Sequence, residues 1–509
     1  MLALCDGAIR ASVDPLLSSL IRRDLIRPGP AAVAGEDACW FRHQLIRDAA
    51  YATLPKETRA DLHERFVDWL GSTGGDRTEL EEIIAHHLEQ TFRLRTELGP
   101  VDERTRAVGE RAASLLIQAG DRAHERGDAT SAVSLWRRAV LLLPDDDLRM
   151  PRAVMAAASM SYGDTVAEFL HNALARVEAI GAREAAAGIR VAEARLLSDT
   201  EPALHPTERI FELHEEAERV ITSADHRQLL GWARHAAGIA YTWRGAMGKA
   251  LGLFENILAD PYSSTDRTLA LITESWIGLS KLTGATPVDE ALRDLRRGPN
   301  HSSLYRDRIE GVLLALSGDI LAGRKRCRQV LTRADELGSY SNQSRMFAAI
   351  VELLDEHSDV AEPMLREAYD NLIHVGLRGA SDSIVGLLAR AMHENGHGED
   401  ALQILAAHID TPLDDYEAIG LQRAANARIL ADRGDVVDAE RLAREGVAAL
   451  EPTEDLVLHG ETLLALAHVL RVAQRYEEAI NTARSALELF DKKGDVPDAR
   501  RVRTFLGGG

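Results

Sequence analysis

Small side chains return along this chain at a spacing near forty residues, and that return limits the fold more than any other feature. The clearest copy runs from Leu116 to Pro144. Leu116, Ala119, Gly120 and Ala123 stand at i, i+3, i+4 and i+7, one stripe of a helix made mostly of small residues. Gly127 then accepts a positive φ and Asp128 caps a new amino end, so the helix breaks and restarts. Ala132, Leu135, Trp136 and Ala139 form the second stripe, and Pro144 closes the unit because proline cannot sit in a helix interior. Two helices approach closely only where nothing bulky intervenes, so each unit reads as a tight helical hairpin.

With Ala132 as the marker of the second helix, equivalent small or apolar residues stand at Ala167, Ile210, Ala250, Ala291, Gly323, Ala361, Ala401, Ala439 and Ala479. The mean step is roughly 39 residues, longer than the 34 of the standard tetratricopeptide unit. The best later copies are Ala427, Leu430, Gly434, Asp435, Ala439 and Ala443, then Leu463, Leu466, Ala467, Leu470, Ala479, Ala483 and Ala486. The pattern is weakest over 160–215 and 285–300. A hairpin of this kind cannot bury its apolar face alone, so the prediction is an all-α, tetratricopeptide-like superhelical solenoid over 111–506, with polar, Arg-rich 496–506 as its cap. The closing glycines, 507–509, are expected to be disordered. Composition agrees: aromatics are only 5% and prolines number 16, which suits packed helices and gives a sheet little to build with.

A net charge of −20 argues against a nucleic-acid surface, which needs a concentrated basic face. Only six of the 60 basic residues are lysines. Three cysteines, Cys5, Cys39 and Cys327, make no disulfide framework, and no stretch reaches the length of a membrane span, so the expected location is the cytoplasm. Nothing basic enough for a DNA-binding helix-turn-helix follows residue 480, which weakens a transcriptional-regulator reading.

Before the repeats the texture changes. Residues 13–24 read as a helix, Leu25 to Arg27 as a strand, Pro28 to Asp37 as a loop, and Cys39 to Arg42 as a return strand leading into a helix. That order describes the last part of a winged-helix domain, placed at 1–55, with connecting helices over 56–110. The run Phe41-Arg42-His43-Gln44-Leu45-Ile46-Arg47-Asp48-Ala49-Ala50-Tyr51, then Leu54-Pro55 and Leu62-His63-Glu64-Arg65-Phe66, resembles the junction in bacterial STAND-type signal-transduction ATPases. In those proteins an ATPase domain precedes a winged helix and tetratricopeptide-like repeats. His86-His87-Leu88-Glu89-Gln90, Glu97-Leu98-Gly99-Pro100 and Asp102-Glu103-Arg104 most resemble the subgroup fronted by a class III adenylate or guanylate cyclase. The resemblance covers roughly residues 1–145.

It implies a sensor and protein-interaction region, with any ATPase or cyclase domain, and any ATP or ADP, outside these residues. No Gly-x-x-x-x-Gly-Lys-Ser/Thr phosphate loop is present; Gly245 to Lys249 has the wrong spacing. No catalysis is expected of the chain itself. The expected partner is a protein or small effector in the solenoid groove, and the competing reading is a free-standing peptide-binding adaptor.

His43 carries the sharpest expectation. The resemblance implies that a His at the strand-to-helix junction reaches a nucleotide phosphate held by the ATPase domain, with Arg42 or Arg47 assisting, and an imidazole at a helix amino end is a sensible donor there. His393-Glu394-Asn395-Gly396-His397 matches the His-Glu-x-x-His metalloprotease pattern literally, but Asn395 and Gly396 fall at a hairpin turn, so no metal site is assigned. His86 and His87 point about 100° apart on a helix and read as surface or capping residues. The acidic runs Glu79–Glu82 and Asp145–Asp147 read as solvated helix starts or loops. Trp136, Trp232, Trp243 and Trp276 read as core or groove lining.

Overall fold

The computed structural model describes residues 4–5, 7–29, 38–72, 77–160, 164–201, 204–297, 304–338, 341–374, 378–409 and 415–507. It packs as two compact units, Met1–Arg122 with Ser134–Ala153, and Ala123–Val133 with Val154–Gly509. No described helix is long and apolar enough to cross a membrane.

The smaller unit contains α1 (Gly7–Arg10), α2 (Val13–Arg22), β1 (Ile26–Gly29), β2 (Ala38–Phe41), α3 (Gln44–Ala52), α4 (Lys56–Ser72), α5 (Arg77–Thr96), and most of α6 (Glu103–Glu125) and α7 (Ala129–Leu142). The strands pair antiparallel, with Ile26 opposite Phe41 and Gly29 opposite Ala38. Pro28 and Gly29, expected in the loop, extend β1 instead. A proline is tolerated there because a two-stranded ribbon leaves one side of each strand without a partner. The remainder of the expected loop, 30–37, lies outside the described residues. Helices α4 and α5 pack through buried Ala60, Val67, Leu70, Ala85 and Leu88. Gly120 is buried against Trp136, whose indole leaves no room for a Cβ.

After α8 (Arg149–Ser159), which begins in the smaller unit, the larger unit continues with α9 (Asp164–Ala179), α10 (Arg183–Thr200), α11 (Glu208–Val220), α12 (Arg227–Trp243), α13 (Met247–Ala259), α14 (Arg267–Thr283) and α15 (Val288–Arg297). It goes on through α16 (Leu304–Leu316), α17 (Ile320–Leu337), α18 (Ser341–Leu354), α19 (Ser358–His374), α20 (Arg378–Glu394) and α21 (Gly398–Ile409). Helices α22 (Tyr416–Asp432), α23 (Val436–Leu450), α24 (Leu456–Val472), α25 (Tyr476–Lys493) and α26 (Val496–Gly507) complete it. From α10 to α25 the even-numbered helices are the first, and the odd-numbered the second, of each hairpin. Each first helix packs on its own second helix and on the first helix of the next hairpin. This is the all-α, tetratricopeptide-like stack read from the sequence.

Every repeat marker falls near the start of a second helix, and all are buried except Ala167. There Val166 takes the buried place, followed by Leu170, Ala173 and Val177, so the register differs from the expected one by a single residue. Gly507 also departs from expectation, since it closes α26; Gly508 and Gly509 lie outside the described residues.

The hairpin turns share one device. Gly318, Glu356, Gly396, Gly434 and Gln474 all have positive φ. The residue after each donates its N–H to a carbonyl five positions back: Asp319 to Leu314, His357 to Glu352, His397 to Met392, Asp435 to Leu430 and Arg475 to Leu470, at 2.8–3.0 Å. This left-handed C-cap satisfies carbonyls that the helix end would otherwise leave open, and it sets the angle at which the second helix returns.

The hairpins of the larger unit wind until one turn of the superhelix meets the next. Lys493 Nζ donates to the carbonyls of Lys281, Gly284 and Thr286 at 2.8, 2.6 and 2.8 Å. Glu454 N donates to Gly245 O, and its carboxylate accepts from Gly248 N. Arg333 donates to Arg126 O and Thr130 to Gly338 O. The side-chain bonds in this set join residues 206 to 212 apart, so roughly five hairpins complete one turn.

Candidate functional site

A winding this tight turns the concave face into a bore, and the bore holds a cavity of about 270 Å³. Seven consecutive first helices, α10 to α22, line it, with Ser159 at one end. Their inward stripes mix polar and large apolar side chains: Arg195 and Asp199 from α10, Trp243 from α12, Trp276 from α14, Tyr305 and Arg308 from α16, Met346 and Phe347 from α18, Asp382 from α20, and Asp415 and Glu417 at the start of α22. Helices α10 and α20 touch, which closes the ring although they are far apart in sequence.

The lining divides by chemistry. One part is aromatic: the Arg308 guanidinium lies over the Tyr305 and Phe347 rings at 4.2 and 4.8 Å, with Trp243 and Trp276 nearby on the wall. The other part is acidic. Arg195 pairs with Asp199 at 2.6 Å and donates to Ala158 O at 3.0 Å. His408 Nδ1 lies 2.6 Å from an Asp382 oxygen, and Gln422 donates to the Asp382 carbonyl. Asp415 caps α22, accepting from the N–H groups of Glu417 and Ala418.

Crowding of carboxylates shows in their protonation. Burial pushes Asp199 up to about 6 against the opposing pull of Arg195. Burial, then the Asp382 and Asp199 charges, raise Asp415 to about 6 despite its two backbone hydrogen bonds. Burial, then Asp415 and Asp455, raise Glu417 to about 8. Glu417 is nonetheless open to water, because the bore surrounds it with protein without sealing it. The arrangement holds charge and aromatic surface around a space; among the described residues no group of three His, Cys, Asp or Glu is placed to hold a metal ion.

Of the residues singled out in the sequence, Trp243 and Trp276 line the cavity, while Trp136 and Trp232 are fully buried core. His43 is the N-cap residue of α3, exposed and making no side-chain capping bond. His393 and His397 are separated by the turn at Gly396, and each pairs elsewhere, with Asp432 at 2.8 Å and with Glu362 at 3.1 Å. His86 is exposed as expected, whereas His87 corrects the expectation: it is half-buried, 2.6 Å from His63 and against the Phe66 ring. Burial, then neighbouring His charges, lowers both His63 and His87 to about 4. Asp147 accepts from Arg149, and of the run Glu79–Glu82 the Glu79 side chain is outside the described residues. The carboxylates of the bore were missed. Asp199 on α10, Asp382 on α20 and the Asp415–Glu417 pair at the start of α22 come from three helices, and only superhelical closure brings them together.

No family model matches the chain, and no curated protein matches it. Among solved structures, a chain of the APC/C hetero-tetramer Cut9-Hcn1 superposes with a TM-score of 0.54 at 11% identity, covering 91% of this chain and 85% of that one. That likeness shows the tetratricopeptide-type repeat fold. NprR in complex with its cognate peptide NprX gives a TM-score of 0.38 at 12% identity over 51% of this chain and 83% of that one. A Rap protein complexed with Competence and Sporulation Factor gives 0.38 at 10% over 74% and 97%. Those two overlays are too loose to carry an argument.

Proposed function

We propose that the chain is a regulatory binding protein whose larger unit senses an effector in its bore. The observation that carries this reading is the lining itself: residues of the first helices from α10 to α22 share one cavity, so the binding energy of an occupant that bridges them acts on the winding of those hairpins. The turn-to-turn bonds of Lys493 and Glu454 are then the contacts whose geometry an occupant shifts. The test is a titration of the full chain with small effectors and short peptides, read by fluorescence and by hydrogen exchange over 245–286. A saturable signal that disappears in Trp276→Phe, with altered protection at the turn-to-turn contacts, supports the reading. Ligands that bind without reaching the cavity tryptophans or changing that protection contradict it.

The finer reading is that this sensor serves a bacterial STAND-type nucleotide switch, ATPase- or cyclase-linked, lying outside these residues. The motifs over 41–66 and 86–104 support it. So does the helix, strand, strand, helix order of α2, β1, β2 and α3, read as the close of a winged-helix domain. Leu16, Trp40, Phe41 and Leu45 are exposed there, an apolar surface suited to a neighbouring domain. In this reading His43 is the phosphate contact. ADP is expected not to bind the chain alone at micromolar concentration, and His43→Ala is expected to speed ADP release once the ATPase partner is supplied. Tight ADP binding by the isolated chain, or an unchanged release rate, opposes it.

A further inference from the structure

The effector's chemical class follows from what the cavity wall lacks as well as what it carries, and this step rests on the ligand-sensing reading above. Four carboxylates, Asp199, Asp382, Asp415 and Glu417, face the space against two guanidiniums, Arg195 and Arg308. Arg195 is engaged by Asp199, and Arg308 lies across the aromatic part over Tyr305 and Phe347. The remaining acid is poorly compensated: His408 serves Asp382, backbone N–H groups serve Asp415, and Glu417 has no side-chain partner among the described residues. On the helices between stand two indoles of the lining, Trp243 and Trp276, and such rings attract cations and apolar bodies alike. The volume, about 270 Å³, falls just below the roughly 300–1,000 Å³ of drug-sized sites. No metal-holding group of three is present among the described residues, so a hard ion has no ligand set here.

We propose that the cavity binds a compact organic monocation, an ammonium or guanidinium on an apolar body, with its charge held by Glu417, Asp415 and Asp382 and its body against Trp243 and Trp276. Such an occupant replaces mutual repulsion of the carboxylates by attraction, and it satisfies the acidic wall and the aromatic wall at once. A divalent organic cation would use the acidic wall but leave the indoles uncovered, and an anion would meet only Arg308. The same ammonium could belong to a free amine or to the amino terminus of a peptide.

The acidity of the wall adds a signature. Asp415 and Asp455 act directly on Glu417, and Asp382 and Asp199 act on Asp415; Arg195, His408 and Lys493 are the counter-charges of Asp199, Asp382 and Asp455. Because burial and mutual repulsion keep these carboxylates partly protonated near neutrality, affinity for an alkylammonium or guanidinium, which keeps its charge, rises as pH goes from 5.5 to 8.5, through the values near 6 and 8. An amino terminus loses its own charge at about 8 and gains affinity only up to neutrality.

The experiment is calorimetric titration of the full-length chain with tryptamine and its neutral isostere tryptophol, and with tryptophanamide and N-acetyltryptophanamide as the peptide-terminus pair. Wild type, Glu417→Gln and Trp276→Phe are compared, their folding checked by circular dichroism. The expected result is binding of the charged member of one pair at pH 7 at least about tenfold tighter than its neutral partner, a loss of that preference in Glu417→Gln, and, for tryptamine, tighter binding at pH 8 than at pH 6. The pair that responds identifies the source of the ammonium. Equal binding of charged and neutral members, or a preference that survives Glu417→Gln, overturns the cation proposal while leaving the sensing reading intact. Failure of every probe, of either charge, to bind wild type more tightly than Trp276→Phe overturns both.

Discussion

Glu461 is the residue on which the largest local balance turns. It sits buried on α24 with Arg428 at 2.8 Å, Arg501 at 3.3 Å and Arg390 at 3.5 Å, three guanidiniums from three other helices, α22, α26 and α20. Burial alone would raise its carboxyl, but those charges hold it well below the usual carboxylate range. Removing one member of such a set leaves the others buried and opposed, so Glu461→Gln is expected to cost about 3–5 kcal/mol in urea unfolding. A loss under about 1 kcal/mol would mean the arginines are reached by water. Glu417 behaves oppositely. Its raised value means the folded chain holds a proton that the unfolded chain has lost between about pH 4.5 and 8, so stability falls as pH rises through that window. Glu417→Gln should match wild type at pH 4 and melt higher at pH 8.5; equal melting at both values would contradict the assignment. Neither residue was legible in the sequence. Each is one acidic side chain in a helix; Glu461 takes its meaning from arginines 33 to 71 positions away, and Glu417 from Asp415 at the start of its own helix together with Asp455, 38 positions on.

At the scale of the element, the hairpin was readable and its register mostly so. Small residues are rare on helix faces except where a second helix must come close, which is why Ala250, Ala361, Ala401 and Ala439 could be placed in advance and are fully buried. Ala167 failed because Val166 and Ala167 are adjacent apolar residues, and a stripe of period 3.6 does not choose between neighbours. The turns offer a clean test. Gly434 has φ +90 and open space where a Cβ would stand, so Gly434→Ala measures the left-handed conformation alone and should lose about 1 kcal/mol. Gln474 holds the same conformation with a side chain at φ +61, and Gln474→Gly should gain up to about 1 kcal/mol. Chemical unfolding of both variants checks the pair; changes of the same sign would show that the turn is not what sets the cost.

For the larger unit as a whole, closure is the property the sequence concealed. A roughly 39-residue period announces stacking, but the rotation between hairpins depends on the exact meeting of side chains, and only that rotation decides whether the concave face is an open groove or a bore. Lys493 marks the difference. It is one of six lysines, and it spends its ammonium on three carbonyls of the preceding turn, buried so deeply that desolvation lowers it to about 8. Lys493→Met should destabilise the chain by roughly 2–4 kcal/mol and raise hydrogen exchange at 281–286; exchange unchanged there would place Lys493 outside the contact. The most direct measurement is a thiol cross-link between turns. With Cys5 and Cys39 replaced by Ser, the pair Gly248→Cys and Glu454→Cys is treated with a short bifunctional reagent, beside Glu399→Cys with Arg433→Cys as a control between adjacent hairpins. Intramolecular linkage of both pairs is the predicted result, and linkage of the control alone would contradict a superhelix that closes on itself.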